Sequence, residues 1–208
     1  MTTQAPLYPG VYYHLYNRGN NHQNLFFQDR DYRLFLERCA RFTDDVAEIF
    51  AYCLLPNHFH LLVRIREEEA LMPVLERKDK LFKERIRSLP DFISDEFSNW
   101  FNSYTRTINN RYDRDGNLFK RPFQRKEIHD ETYLIQIVWY IHFNAQKHGI
   151  SSDFRTWKYS SYAAMLSGKP TRLQRAAVLE WFGGAEAFRF FHEDGFDERV
   201  LGGWGLEG

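Results

Sequence analysis

Residues 49–55 and 61–65 are two apolar runs, and between them stands Pro56-Asn57-His58-Phe59-His60. Pro-Asn favours a turn, and proline cannot serve a central sheet ladder. The runs therefore read as strands 48–55 and 58–66 of an antiparallel hairpin. His58 and His60 open the second strand. Residues i and i+2 of a strand point to the same face. Two imidazoles side by side form half of a divalent-metal site. The plainer alternative is a pair of satisfied polar residues on a solvated sheet face, since a short motif alone is weak.

Around this hairpin the chain alternates. Residues 11–17 are rich in strand formers and end at the turn signal Arg18-Gly19-Asn20-Asn21. Residues 31–42 place Leu34, Phe35, Cys39 and Phe42 at helical spacing, and 94–112 do the same with Phe97, Phe101, Tyr104 and Ile108. Between them, 67–90 is highly charged, holds Pro73 and Pro90, and reads as an exposed, partly helical insertion. A turn at 113–117 leads to a strand within 118–128 and then to a helix from about 130 to 148. Residues 152–162 read as a loop, and 173–182 and 185–192 as short helices broken at Gly183-Gly184. The order strand, helix, strand, strand, helix, strand, helix implies an α+β protein with helices on one face of an antiparallel sheet. A ferredoxin-like arrangement is the most economical fit.

At 208 residues this suits one main domain with an appendage. We read 1–165 as the main domain, with its insertion at about 67–93, and 166–208 as an acidic helical extension. Cys39 and Cys53 sit in apolar surroundings, which suggests reduced buried thiols. No leader pattern opens the chain, and no apolar run reaches membrane-spanning length. A soluble, cytoplasmic protein without membrane contact is expected.

Net charge is zero, but its distribution is uneven. From Glu180 onward seven acidic residues face two basic ones, leaving 26 basic and 21 acidic residues before it, a net of +5. That mildly basic body is compatible with nucleic acid. Lys120, Arg121, Arg125 and Lys126, with Phe119 and Phe123 among them, suit phosphates and stacked bases. Asn17 and Arg18 end the first strand and are further DNA-contact candidates. His14 and His22 have no visible partner and read as structural.

On the helix 130–148, Tyr140 and Asn144 are four residues apart and share a face. A tyrosine hydroxyl can act as a covalent nucleophile, and an asparagine carbonyl can bind or orient a metal. Alone, Tyr140 would read as a core aromatic. His142 lies half a turn away and should face elsewhere.

Taken together, these segments resemble the single-tyrosine transposases of the HUH endonuclease superfamily, in particular their REP-associated branch. The likeness rests on Tyr52-Cys53-Leu54-Leu55-Pro56-Asn57-His58-Phe59-His60-Leu61-Leu62-Val63 and on Trp139-Tyr140-Ile141-His142-Phe143-Asn144. Tyr13-His14-Leu15-Tyr16-Asn17-Arg18-Gly19 and Trp157-Lys158-Tyr159-Ser160-Ser161-Tyr162 resemble the family's first strand and post-helix segment. Ala145 stands where a proline is frequent. The resemblance implies a ferredoxin-like domain in which His58, His60 and Asn144 hold Mg²⁺ or Mn²⁺ and Tyr140 is the nucleophile. It implies cleavage of single-stranded or hairpin DNA at REP-type repeats through a 5′-phosphotyrosine link. Both homodimers and monomers occur in such a family. Two other readings compete: a domesticated hairpin-binding protein with little catalysis, and a cupin-like His-x-His metal protein, which the helices oppose.

Overall fold

The computed structural model describes residues 5–78, 83–84 and 86–193. The acidic residues Asp194, Asp197, Glu198 and Glu207 lie outside the described residues, as does part of the charged insertion. The elements are β1 (Tyr12–Arg18), α1 (Asp29–Thr43), β2 (Ala47–Leu55), β3 (His58–Ile65), α2 (Glu68–Glu76) and α3 (Leu89–Tyr112). They continue as β4 (Gln124–Ile128), α4 (Glu131–Lys147), α5 (Arg175–Trp181) and α6 (Ala185–Glu193), with a single helical turn at Tyr162–Met165. The four strands form one sheet in the order β2-β3-β1-β4, every neighbouring pair antiparallel. This is the expected ferredoxin-like arrangement. No helix among the described residues is long and apolar enough to cross a membrane.

The helices are not confined to one face, which corrects the sequence reading. Strand alternation sends Phe59, Leu61, Val63 and Ile65 of β3 to one side, against Phe35 of α1 and Phe97, Trp100 and Tyr104 of α3. Leu62 of β3 and Phe50, Ala51, Cys53 and Leu55 of β2 face the other side, against Ile137, Val138 and Ile141 of α4. A register shift between Ile49 and Ala51 accounts for the consecutive residues Phe50 and Ala51 in that second cluster. A sheet covered on both faces must be apolar on both, which is why β2 and β3 read as nearly continuous hydrophobic runs. α5 and α6 add Val178 and Phe188 to the α4-side core. Both cysteines are buried and free.

Polar ties lock this packing in place. The buried Trp100 indole donates to Phe35 O at 3.1 Å, and the Tyr104 hydroxyl donates to Leu25 O at 2.7 Å. The Asp31 carboxylate accepts from the Phe27 and Gln28 amides and from the Tyr112 hydroxyl, joining the start of α1 to the end of α3. Burial would raise its pKa, but these bonds and Arg111 outweigh burial and hold it low.

The β2–β3 turn is held by its neighbours. Pro56 O accepts the amides of Leu25 and Phe26, and Asn57 O accepts that of Gly19. At Gly19 a Cβ would stand 1.9 Å from Gln23 O, so only glycine fits this turn. The next residue, Asn20, donates to Leu118 O. Three loops are thereby gathered at one end of the sheet, around the histidines.

Candidate functional site

Register builds the site. Tyr16 on β1 lies opposite His60 on β3, Arg18 lies opposite His58, and Gln124 on β4 lies opposite Tyr16. Even-numbered residues of these strands face α4, so the His-x-His pair points at the helix that carries Tyr140. Between them opens a cleft of about 840 Å³. Its walls include His58, His60, Tyr16 and Arg18 from the sheet, and Tyr140, Lys147 and His148 from α4 and its end. Lys120 and Arg121 form part of its rim.

Each histidine is fixed by a partner. His58 Nδ1 lies 2.7 Å from Asn57 Oδ1. A carbonyl oxygen only accepts, so the proton sits on Nδ1 and Nε2 carries the lone pair. That Nε2 is buried and has no hydrogen-bond partner. His60 Nδ1 lies 2.9 Å from His14 Nε2, with the two rings stacked at 5.1 Å. His14 is therefore a partner of the pair, not the isolated structural residue read from sequence. His58 and His60 stand edge to face, their ring centres 5.4 Å apart, and His148 lies 4.6 Å from His58.

Burial keeps these rings neutral. Desolvation, and then the charge of Lys126, lowers the His14 pKa to about 3. Desolvation lowers His58 to about 4, with His148 and Arg18 adding to it. His60 is held well below its usual value, first by burial and then by the neighbouring His14, His58, His148 and Lys147, each of which disfavours a further positive charge. A neutral imidazole with an exposed lone pair is the form that binds a metal. Among the described residues, no three His, Cys, Asp or Glu side chains converge as a metal site. What the cleft offers is the imidazole pair.

Tyr140 is buried in the cleft wall. Its ring meets His60 edge-on at 5.7 Å and His14 at 6.0 Å, while the Lys147 ammonium lies 5.1 Å from its centre. Lys147 is seven residues on, two helical turns along the same face. Asn144 is fully buried and does not line the cleft. Its amide Nδ2 donates to Tyr140 O at 2.7 Å, and its Oδ1 has no hydrogen-bond partner. His142 points elsewhere, as expected, between Ser161 Oγ at 2.7 Å and His192 Nε2 at 2.9 Å.

Of the DNA-contact candidates, Asn17, Arg18, Lys120 and Arg121 line the cleft. Arg125 does not. Alternation along β4 turns it to the α3 side, where its guanidinium lies 5.0 Å over Phe123 and reaches Ser94. This corrects its grouping with the others. Lys126 sits on the histidine face, opposite His14, but outside the cleft. Tyr16, His22, Lys147 and His148 also line the cleft and were missed. The helical period from Tyr140 would have found Lys147, and strand parity from His14 would have found Tyr16.

No family model matches this sequence. A curated protein of Haemophilus influenzae (strain ATCC 51907 / DSM 11121 / KW20 / Rd), named "Putative REP-associated tyrosine transposase", is 29% identical over 117 residues. The match covers 55% of this chain and 58% of that protein, so the chain spans little more than half the length of this relative. A solved REP-associated tyrosine transposase bound to a REP hairpin superposes with a TM-score of 0.59 at 17% identity. It covers 82% of this chain and 88% of that one, and the two share a fold.

Proposed function

We propose that this chain, which belongs with the REP-associated tyrosine transposases, is a metal-dependent endonuclease and strand transferase acting on single-stranded DNA at hairpin repeats. The observation that carries this reading is the meeting, in one cleft, of His58, His60 and Tyr140 with Arg18, Lys120 and Arg121 at the rim. Nucleophile, metal donors and phosphate-binding cations are the three groups that phosphodiester transfer needs.

The side chains fit a divalent cation. His58 Nε2 is a buried lone pair without a partner, and His60 keeps its own Nε2 for a metal when its Nδ1–H donates to His14. Asn144 Oδ1, the third donor that the family resemblance implies, also lacks a hydrogen-bond partner but lies behind the cleft wall, so the two imidazoles carry the fit. A bound Mg²⁺ or Mn²⁺ would neutralise charge on a non-bridging phosphate oxygen. Arg18, Lys120 and Arg121 would hold the backbone. The Tyr140 oxygen would bond to phosphorus as the bond to the 3′ oxygen breaks, giving a 5′-phosphotyrosine and a 3′-hydroxyl. Lys147 sets positive charge beside the attacking ring.

The test is to incubate the protein with single-stranded hairpin repeats from the DNA flanking its gene, with Mn²⁺ or Mg²⁺, and to look for a protein–DNA adduct on a denaturing gel. A chelator-sensitive adduct is the expected result. Binding without any adduct would favour a hairpin-binding protein that does not cut, and the absence of binding would remove the DNA assignment. His14 gives a second measurement. Replacing it with Phe keeps the stacked ring but removes the acceptor for His60 Nδ1–H. Cleavage should then need roughly 10–100-fold more metal, as is typical when a ligand's hydrogen-bond partner is removed. An unchanged metal titration would mean that His14 does not orient His60.

A further inference from the structure

On the opposite face of the sheet from the histidine cleft, α1 and α3 lie side by side and leave a groove of about 380 Å³ between them. Arg38 and Arg41 of α1 and Asn99, Asn102, Ser103 and Arg106 of α3 line it. The spacing is helical on both sides, three residues on α1 and three, four and seven on α3, so each set forms one stripe. Nothing in the proposed chemistry uses these residues.

The charge here is unbalanced, because three arginines line the groove and no carboxylate does. Six described arginines (Arg64, Arg66, Arg77, Arg111, Arg155 and Arg172) have a carboxylate within ion-pair distance. None of the ion pairs found among the described residues involves Arg38, Arg41 or Arg106. Arg38 Nε is moreover buried without a hydrogen-bond partner, a costly state for a cationic group unless an anion completes it. Three guanidinium groups beside two amides and a hydroxyl make a lining of donors suited to phosphate oxygens. Phe42 is the only aromatic side chain lining the groove, so it offers little on which unpaired bases could stack. The histidine cleft differs, with Tyr16, Tyr140 and imidazoles in its wall.

The two places are linked. A second groove shares Asn17, Lys120 and Arg121 with the cleft and shares Asn102 with the arginine groove. Arg121 itself reaches Asn102 Oδ1 at 3.5 Å. A basic path therefore runs from the cleft around the 117–123 loop to α1 and α3.

We infer that the α1–α3 groove is a second nucleic-acid site, which holds the phosphate backbone of the duplex stem while the unpaired strand enters the histidine cleft. This rests on the proposed function. Backbone contacts of this kind set register and orientation on a duplex without reading its sequence.

The test compares wild-type protein, loaded with Mn²⁺, with a variant carrying Arg38→Gln, Arg41→Gln and Arg106→Gln. Binding is measured by fluorescence anisotropy over a salt series, on a hairpin with its flanking strand and on that flanking strand alone. The variant should bind the hairpin at least about 10-fold more weakly. Its log K against log salt should be shallower by about two to three, near 0.9 for each phosphate that the removed arginines no longer neutralise. Binding of the flanking strand alone should stay within about two-fold, because the cleft residues are intact. Unchanged hairpin binding, or equal weakening of both DNAs, overturns the inference. Displacement of DNA by inorganic phosphate at fixed ionic strength, with no dependence on the stem, would mark a free-anion pocket and also overturn it. If the triple variant does not fold, Arg106→Gln alone should still lower the salt slope by about one. Wild-type protein that binds neither DNA removes the proposed function itself, whereas wild-type hairpin binding with an unaffected variant removes only the groove.

Discussion

Tyr140→Phe should abolish the covalent adduct and strand cleavage, a loss on the order of 10⁴-fold or more, as expected when a nucleophile is deleted. Hairpin binding should stay within about two-fold, because the ring remains and the basic rim is untouched. The sharper control is Tyr16, the other tyrosine in the cleft. Tyr16 lies flat against His60, at 21° between planes, and burial raises its pKa, which disfavours the phenolate. Tyr140 meets His60 edge-on, at 84°, with the Lys147 ammonium over its ring. A cation there favours negative charge on the ring oxygen, and nothing comparable stands over Tyr16 among the described cation–ring contacts. Tyr16→Phe should therefore keep the adduct, with a rate loss under about 10-fold, because it removes no reacting atom. End-labelled hairpin on a denaturing gel reads both variants. An adduct that survives in Tyr140→Phe and disappears in Tyr16→Phe would reverse the assignment.

The contrast between these tyrosines shows where the sequence could be read and where it could not. The β2–β3 hairpin was legible because Pro56-Asn57 interrupts two apolar runs and because parity alone puts His58 and His60 on one face. The α4 side of the site was legible from the four-residue spacing of Tyr140 and Asn144, but burial was not. Asn144 packs under the helix backbone instead of lining the cleft, a result of how α4 rolls onto β2 and β3. His14 was missed because its partner lies 46 residues away and only the β1–β3 register brings them together. Arg125 was grouped with Lys126 because the start of β4 could not be placed within 118–128, and the start decides which neighbour faces which side. The arginines of α1 and α3 gave no local signal. Their meeting depends on how two helices 60 residues apart pack against one sheet face, which buries Trp100 between them with its indole on Phe35 O.

Acid should unfold this protein early. Five imidazoles are held neutral by burial: His14 at about 3, His58 and His192 at about 4, and His60 and His142 well below their usual value. In the unfolded chain each would titrate near 6.5, so between about pH 6.5 and pH 4 the unfolded state binds more protons than the folded one. Stability must then fall as pH falls through that window. At pH 5 each fully neutral histidine costs about 2 kcal/mol, so the His142–His192 pair alone removes about 4 kcal/mol from a fold of typical stability near 5–15 kcal/mol. Burial disfavours a second proton on either ring of that pair. His192 Nδ1 donates to Phe188 O and His142 Nδ1 donates to His192 Nε2, so each ring already carries one proton, while His142 Nε2 lies 2.7 Å from Ser161 Oγ, whose hydroxyl is also within reach of Tyr52 O. Carboxylates act later. The lowered pKa of Asp31 gives a contribution that is complete above the usual carboxylate range and is lost only as pH falls through and below it. Urea unfolding of the metal-free protein should show a midpoint that drops steeply from pH 6.5 to 5, with slope approaching five protons. A variant carrying His142→Asn and His192→Asn should start less stable but lose about two protons from that slope. A midpoint that stays flat to pH 5 would mean that these rings accept protons in the folded state, and the buried chain from Ser161 to Phe188 would have to be redrawn.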